Sequence, residues 1–441
     1  MIRTKILPIL VTIAFIFATV QYLAYQDATE IVIISIALLG LSFFLDRSLT
    51  FIFPATMILT ILFVCPLFVS GAKIAIKDFG GSSTYDFPLF FSVIILSIAV
   101  CAQSIIRPTI NVSRKQFFES APKSSLFAYA FAALLLGLAI LNLSGGTLLQ
   151  GNYREITNER YSFVEYATLA ILIGFAAARS RTARRVVIVC AAVYLASCFL
   201  TGLRLRLIAG TVVLFACIAR ERIDLHHKLG GVAVILFLFI LGWVRSPGFS
   251  PHDISVAAFL ESFDNRGAVI STFGGGFQSA KWYVYFVDTQ SRDQFSGLWF
   301  FVGDAIGAVL SRSAIPSGMD VKALVSDTYE TPGGGLFVGY FFAYFGIAGV
   351  IVASIALAAL LIYLKRSRNP MAWPFLIICA AYAPRTLLYD YTVMIKMCLV
   401  AFILLKLLKW TTPSSSRVRR RHAVQKTNTP PGWREKEAYG K

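Results

Sequence analysis

Four side chains near the C-terminal end have the types and spacing to hold an anion. At about 100° per residue, Arg385, Tyr389, Thr392 and Lys396 fall within about 60° of one another around a helix, while Asp390 points elsewhere. Read as parts of one helix, they form a polar stripe from its outer end to its middle. Two cations with a phenol and a hydroxyl between them suit a lipid-linked anion such as a pyrophosphate, whose oxygens need donors and positive charge. A packing role fits as well, with Arg385 and Lys396 paired to carboxylates, or with Lys396 reaching the interface along its alkyl stem.

A second group is Thr201-Gly202-Leu203-Arg204-Leu205-Arg206. Its two arginines point about 200° apart on a helix, so only one can face a bundle interior and the other snorkels. Arg204 is the preferred interior candidate. Tyr340 and Tyr344 lie one turn apart and either line a carbohydrate path or join an interfacial aromatic belt. Gly339, Ala343 and Gly346 share a neighbouring face, a small-residue stripe that lets two membrane helices approach closely.

The elements that must position these groups are apolar. The chain has 441 residues, of which 57% are hydrophobic and 15% charged. A bilayer core about 30 Å thick takes roughly 20 apolar residues per helix. Apolar runs are expected as spans at Ile6–Tyr25, Ile31–Leu45, Phe51–Gly71, Pro88–Ile106, Leu126–Leu143, Phe163–Ala178, Val186–Leu200, Leu203–Ala219, Gly230–Val244, Leu336–Leu364, Met371–Ala383 and Leu387–Leu408. The expected fold is an all-α polytopic membrane protein of about twelve transmembrane helices. It divides into membrane helices over 1–244, an external loop over 245–335, three further helices over 336–408 and a basic disordered tail over 409–441. The first apolar run has no convincing cleavage site before Gln26 and is read as a retained span.

Lys/Arg bias sets the orientation, because cytoplasmic loops keep cations. Arg107, Arg114, Lys115 and Lys123 occupy one connection, Arg179, Arg181, Arg184 and Arg185 another, Arg220, Arg222 and Lys228 a third, and Lys365, Arg366 and Arg368 a fourth. All four fall on one side if twelve spans alternate, with both termini cytoplasmic. The long loop is then external, and its six Lys/Arg against nine Asp/Glu agree with that side. Within it Phe295–Leu310 is apolar but short for a span and carries Asp304, so it is read as interfacial or re-entrant. Glu261, Asp264 and Arg266 form a compact polar cluster there, able to hold a sugar hydroxyl or simply to solvate the loop.

Several function classes are set aside. The net charge of +18 lies mostly in short turns and the tail, so positive-inside topology accounts for it without nucleic acid. The seven cysteines all fall in apolar runs, where they act as small hydrophobes. The four histidines show no zinc-ligand spacing. The glycine runs Gly274–Gly276 and Gly333–Gly335 lack the Lys-Ser/Thr of a phosphate-binding loop. No metal or cofactor is called for. Repeated halves with matching broken helices, the mark of many secondary transporters, are not visible.

About twelve spans, the Gly202-x-Arg204 start of a mid-protein helix, one long external loop, and the Pro332–Gly335 approach to an aromatic, glycine-punctuated helix over Leu336–Gly349 resemble the bacterial oligosaccharide repeat-unit polymerases (O-antigen or Wzy-type polymerases). The likeness covers the layout of nearly the whole chain, and its sequence support is confined to Gly202–Arg206 and Pro332–Gly349. It implies metal-independent, inverting glycosyl transfer at the outer face of a bacterial inner membrane. The donor would be an undecaprenyl-pyrophosphate-linked glycan and the acceptor a sugar hydroxyl on a fresh lipid-linked repeat unit, with a chain-length-regulating co-polymerase as a possible partner. On that reading Arg204, Arg385 and Lys396 would neutralise the leaving pyrophosphate, with Tyr389 and Arg206 beside them. Glu330 would be the general base, with Asp304 and Glu261 behind it, and Arg245 and Arg266 would bind the second diphosphate. O-antigen ligases share the layout but typically carry a His-rich loop, where this chain has only Pro251-His252-Asp253. A transporter or a lipid-linked glycan flippase is the remaining alternative class.

Overall fold

In the computed structural model, the described residues are 29–64, 85–104, 110–144, 166–201, 203–219, 223–233, 272–290, 296–310, 314–329 and 334–411. The expected first span, the 144–162 loop beyond Ser144, Arg245, Arg266, Glu261, Glu330 and the tail beyond Thr411 lie outside them. Every regular element among the described residues is helical. In chain order these are α1 (Thr29–Leu45), α2 (Ile52–Val64), α3 (Asp86–Ser104), α4 (Ile110–Ser120), α5 (Ser125–Ser144), α6 (Ala167–Ala177), α7 (Arg181–Leu200), α8 (Arg204–Ile218), α9 (Thr272–Gln290), α10 (Ser296–Val309), α11 (Val321–Thr328), α12 (Phe337–Arg366), α13 (Ala372–Leu388) and α14 (Thr392–Thr411). A short 3₁₀ turn covers Leu49–Phe51, and 225–233 is also helical. Helices α5, α7 and α12 are long and apolar enough to cross a bilayer. Helix α14 has the length but carries Lys396, Lys406 and Lys409.

The helix ends meet in two polar layers. In one, the Lys365 ammonium at the end of α12 donates to Asp46 Oδ2 at 2.9 Å and to the Gln103 carbonyl at 3.1 Å. Both charged side chains of the pair are fully buried. Asp46 also accepts from the Ser48 amide and hydroxyl and from the Thr50 hydroxyl, so its oxygens are saturated and the desolvated charge is held by several donors at once. One ion pair thus ties together the ends of α1, α3 and α12.

Lysines also cap helices in this layer. Lys228 donates to the Phe43 and Phe44 carbonyls at 2.6 and 3.0 Å, and Lys123 to the Ala176 carbonyl at 2.7 Å. These carbonyls belong to the last turns of α1 and α6, where no intrahelical donor remains. At the start of α7, Ser180 accepts from the Ala183 amide, a serine N-cap. Arg114 reaches the Cys217 carbonyl at the end of α8. The described residues of the basic turns, Arg114, Lys123, Lys228 and Lys365 among them, gather at one end of the bundle.

The second layer lies at the other end. On α12 the stretch from Ile347 to Lys365, just beyond Tyr344, covers roughly 27 Å at 1.5 Å per residue, close to one hydrocarbon thickness. Gly346 (φ 62°, ψ −155°) interrupts α12 between Tyr344 and this stretch, a left-handed backbone that a side chain disfavours. The small-residue stripe expected at Gly339, Ala343 and Gly346 therefore divides by role. A Cβ on Gly339 would stand 2.4 Å from the Ala280 Cβ, so this glycine allows α9 and α12 to touch, whereas Gly346 has nothing within 4 Å and makes the kink.

Helix α9 itself departs from the expectation of a polar loop between Arg245 and Gly335. Its Phe277, Ala280, Val284 and Val287 are buried and repeat at helical spacing, an apolar stripe set against α12, α2, α3 and α13. Glycines and polar residues between these positions dilute the hydropathy enough to hide it.

Removing one partner of the Asp46–Lys365 pair should be costly, because it strands a charge in an apolar interior. Lys365→Met or Asp46→Asn is expected to destabilise by about 3–5 kcal/mol, and the double Asp46→Leu/Lys365→Met variant to recover most of it. Thermal unfolding in detergent measures both.

Candidate functional site

The second layer is built around one lysine. Lys322, on the short helix α11, reaches Asp390 at 2.9 Å and Asp304 at 3.3 Å. Asp320 caps α11 by accepting from the Ala323 amide, and the buried Val321 and Val325 seat its apolar edge one turn apart. Asp304 comes from the buried side of α10. Asp390 lies in the break between α13 and α14, where it accepts from the Thr392 amide and hydroxyl at 3.0 and 2.7 Å and so caps α14.

Tyrosines close the knot. Tyr344 donates to Asp304 Oδ2 at 2.6 Å, and Tyr340 to the Tyr389 carbonyl at 2.9 Å. That carbonyl also accepts from the Gly335 amide, which pins the chain entering α12 to the α13–α14 break. The Lys322 ammonium stands 4.9 Å over the Tyr340 ring and 5.9 Å over Tyr391, within cation–π range. Nearby, Tyr329 stacks on Trp282 of α9 with centroids 4.2 Å apart. Helices α9, α10 and α11, all from the long expected loop, are thus fastened to this end of the bundle.

Lys322 and Asp390 stabilise each other's charge, whereas at Asp304 burial outweighs Lys322 and, with the Asp390 charge beside it, holds that carboxyl above the usual carboxylate range. Burial pulls the Lys322 pKa down, but Asp390 and Asp304 outweigh it and hold the group above the usual lysine range. Burial pushes Asp390 up, but Lys322 and the Thr392 donors carry it below the usual carboxylate range. A paired lysine with two carboxylates is an anchor, not an anion receptor.

Beside the knot runs an apolar groove. It has a volume of about 570 Å³ and begins at Tyr391, with Phe301 of α10, Phe337, Phe341 and Phe345 of α12, and Met394 of α14 on its walls. It continues past the Gly346 kink along Gly349, Ala353 and Ala356, and its edge is open at Val352, 67% exposed. The kink and the aromatic walls leave an apolar channel lying along α12.

The expected stripe on the last helix does not exist as one face. The chain breaks at Tyr389, whose backbone leaves the helical region (φ −131°, ψ −59°), so Arg385 belongs to α13 and Lys396 to α14. Pro384 sits inside α13, and the Asp390 cap starts a new helix. Asp390, expected to point away, is instead part of the hub. Tyr389 contributes its carbonyl to the knot. Lys396 is half-buried and follows Met394 and Ile395, both on the groove wall; it forms no ion pair among the described residues. Tyr340 and Tyr344 are 1% and 6% exposed, so they form part of the knot's interior and neither an aromatic belt nor an open sugar path.

Arg204 opens α8, with its side chain outside the described residues. Arg206 is half-buried, and its Nη1 is buried without a hydrogen-bond partner among the described residues. Its charge acts on Tyr194 and Cys198 of α7, so this arginine, and not a snorkelling one, lies against the neighbouring helix. Gly202, Arg245, Arg266 and Glu330 lie outside the described residues. No protein-family model, no curated protein and no solved structure matches the chain.

Two signals in the sequence point to the knot. Asp390 is the sole carboxylate in 336–411, and an acid between apolar helices requires a cation. Lys322 sits in the amphipathic run Val321–Thr328, which marks a helix end docked on something apolar.

The Lys322–Asp390 pair should hold from about pH 4 to about pH 10.5, with Asp304 taking up its proton before Asp390 on acidification. The pair's contribution is lost as pH falls through the lowered Asp390 pKa, and again as pH rises through the raised Lys322 pKa. Lys322→Met is expected to cost about 3–5 kcal/mol at pH 7, with a smaller gap to wild type in acid once the stranded carboxylates protonate. Thermal unfolding across pH for both proteins reads this directly.

Proposed function

We propose that this protein polymerises undecaprenyl-pyrophosphate-linked oligosaccharide repeat units at the outer face of a bacterial inner membrane, as a metal-independent glycosyltransferase. The observation that carries the reading is the groove. It is apolar along its length, opens sideways between α10, α12 and α14, and starts at the polar layer farthest from the basic turns. A polyprenyl chain needs such a channel, with its diphosphate at the polar end.

Lys396 and Arg206 are the cations assigned to that diphosphate, with Arg385 and Arg204 on α13 and α8, two helices that pack against each other. Fixed cations lower the cost of charge developing on a leaving pyrophosphate. The Lys322 knot holds α9, α10 and α11 over the same end, where a second lipid-linked substrate must be aligned with the first. The chain in this reading has about twelve spans, cytoplasmic termini and an external 245–335 segment, with Glu330 as the acceptor's base.

The test is surface-glycan profiling of cells lacking the gene, complemented at matched protein levels. Ala356→Trp, which fills the groove, and Arg206→Ala should collapse the polymer ladder to single repeat units. Ala359→Trp, exposed on the same helix but off the groove wall, should leave the ladder intact. Polymer that forms but is not transferred to its final acceptor would favour a ligase, and an unchanged ladder in the deletion would move transport to the front.

A further inference from the structure

The basic end of the bundle carries a pocket that the glycosyl-transfer reading does not use. It has a volume of about 430 Å³ and is lined by Arg114 and Lys115 of α4, Arg184 of α7, Phe118, Phe175 and the end of α8 at Cys217 and Ile218. Three cations face one space. Among the described residues the carboxylate paired with any of them is Glu119, which meets Lys115 at 3.9 Å on the exposed surface.

The two arginines are held in place by ring contacts that do not neutralise their charge. The Arg114 guanidinium lies 5.6 Å over the Phe118 ring, and that of Arg184 lies 5.7 Å over Phe175. Arg114 Nη2 makes a long 3.4 Å hydrogen bond to the Cys217 carbonyl, while its Nε is buried with no partner among the described residues. A buried guanidinium N–H without an acceptor is costly, so its retention in a pocket of like charges needs an anion. Lys123, just outside the pocket, has its pKa pulled down to about 8 by burial and by the Arg184 charge, which reports the same positive field.

We propose that this pocket binds the phosphate headgroup of an anionic phospholipid of the adjoining leaflet. Arginine forks match phosphate oxygens bidentately, and the three cations supply the excess charge that selects an anionic from a zwitterionic headgroup. The apolar side of the pocket identifies a lipid as the source of the phosphate. Ile188 and Ile218 line it, Ile218 is 51% exposed, and Val189 and Val193 on α7 are 61% and 44% exposed, an apolar bank on which an acyl chain can lie. Bound there, the lipid would bridge α4, α6, α7 and α8.

Native mass spectrometry of the full-length protein during stepwise delipidation tests this, with phosphatidylglycerol or phosphatidylcholine added back. Wild type should retain about one phosphatidylglycerol molecule far longer than phosphatidylcholine, and Arg114→Gln/Arg184→Gln should weaken that retention about tenfold or more. Arg114→Lys/Arg184→Lys, which keeps the charge, should retain part of it. Circular dichroism of each variant shows that the helices remain. Equal retention by wild type and the glutamine variant, or no preference over phosphatidylcholine, would overturn the proposal. Retention abolished by millimolar inorganic phosphate, with phosphate alone raising the melting temperature of wild type as much as the lipid does, would assign the pocket to a soluble phosphate instead.

Discussion

A charge inside a bilayer must meet its partner inside the protein, and this fold is arranged around two places where that happens. Asp46 and Lys365 are wholly buried at one end of α12, and Asp304, Lys322 and Asp390 cluster near the other. Each pairing joins segments far apart in sequence, so the charges specify which helix ends meet in a chain whose apolar faces are nearly interchangeable. Leu, Ile, Val and Ala side chains offer little to distinguish one neighbour from another when lipid is as apolar as they are. A saturated ion pair tolerates no other register, because any slip strands it.

The spacing of the two clusters along α12 gives the bundle a polar layer at each end and an apolar middle. The basic layer also holds the lysine caps on α1 and α6, whereas the other layer holds the tyrosines and the chain's breaks. Functional potential follows from this asymmetry. The knot at Lys322 holds parts in place, while the groove beside it remains open to a ligand. The Gly346 kink lies within the groove, which runs from the aromatic side chains before it to Gly349 and Ala353 after it.

Much of the helical plan was legible. Long apolar runs such as Leu126–Leu143 and Leu336–Leu364 announce helices by composition, and the Lys/Arg bias brings together turns that do meet, as Lys123 does with Ala176 and Arg114 with Cys217. Helix α9 was hidden because glycines, Gln278 and Lys281 interrupt its hydropathy, although its buried residues keep helical spacing. The site was less legible still. Helical angles put Arg385, Tyr389, Thr392 and Lys396 on one stripe, but a single carboxylate capping Thr392 ended one helix and began another. Periodicity carries no information across such a break. Lys322 and Asp390 are 68 residues apart in sequence, and their pairing is a tertiary contact that no local pattern encodes.

The central claim is that the Lys322 layer and the Lys365 layer face opposite sides of one membrane. Single cysteines at two exposed positions test it most directly: Asp327→Cys on α11 and Arg181→Cys at the start of α7, each in a chain with Cys65 and Cys398 replaced by serine. A membrane-impermeant maleimide applied to right-side-out vesicles should label the residue-327 cysteine at once and the residue-181 cysteine only after detergent opens the membrane. Equal labelling of both in sealed vesicles, or the reverse order, would contradict the account.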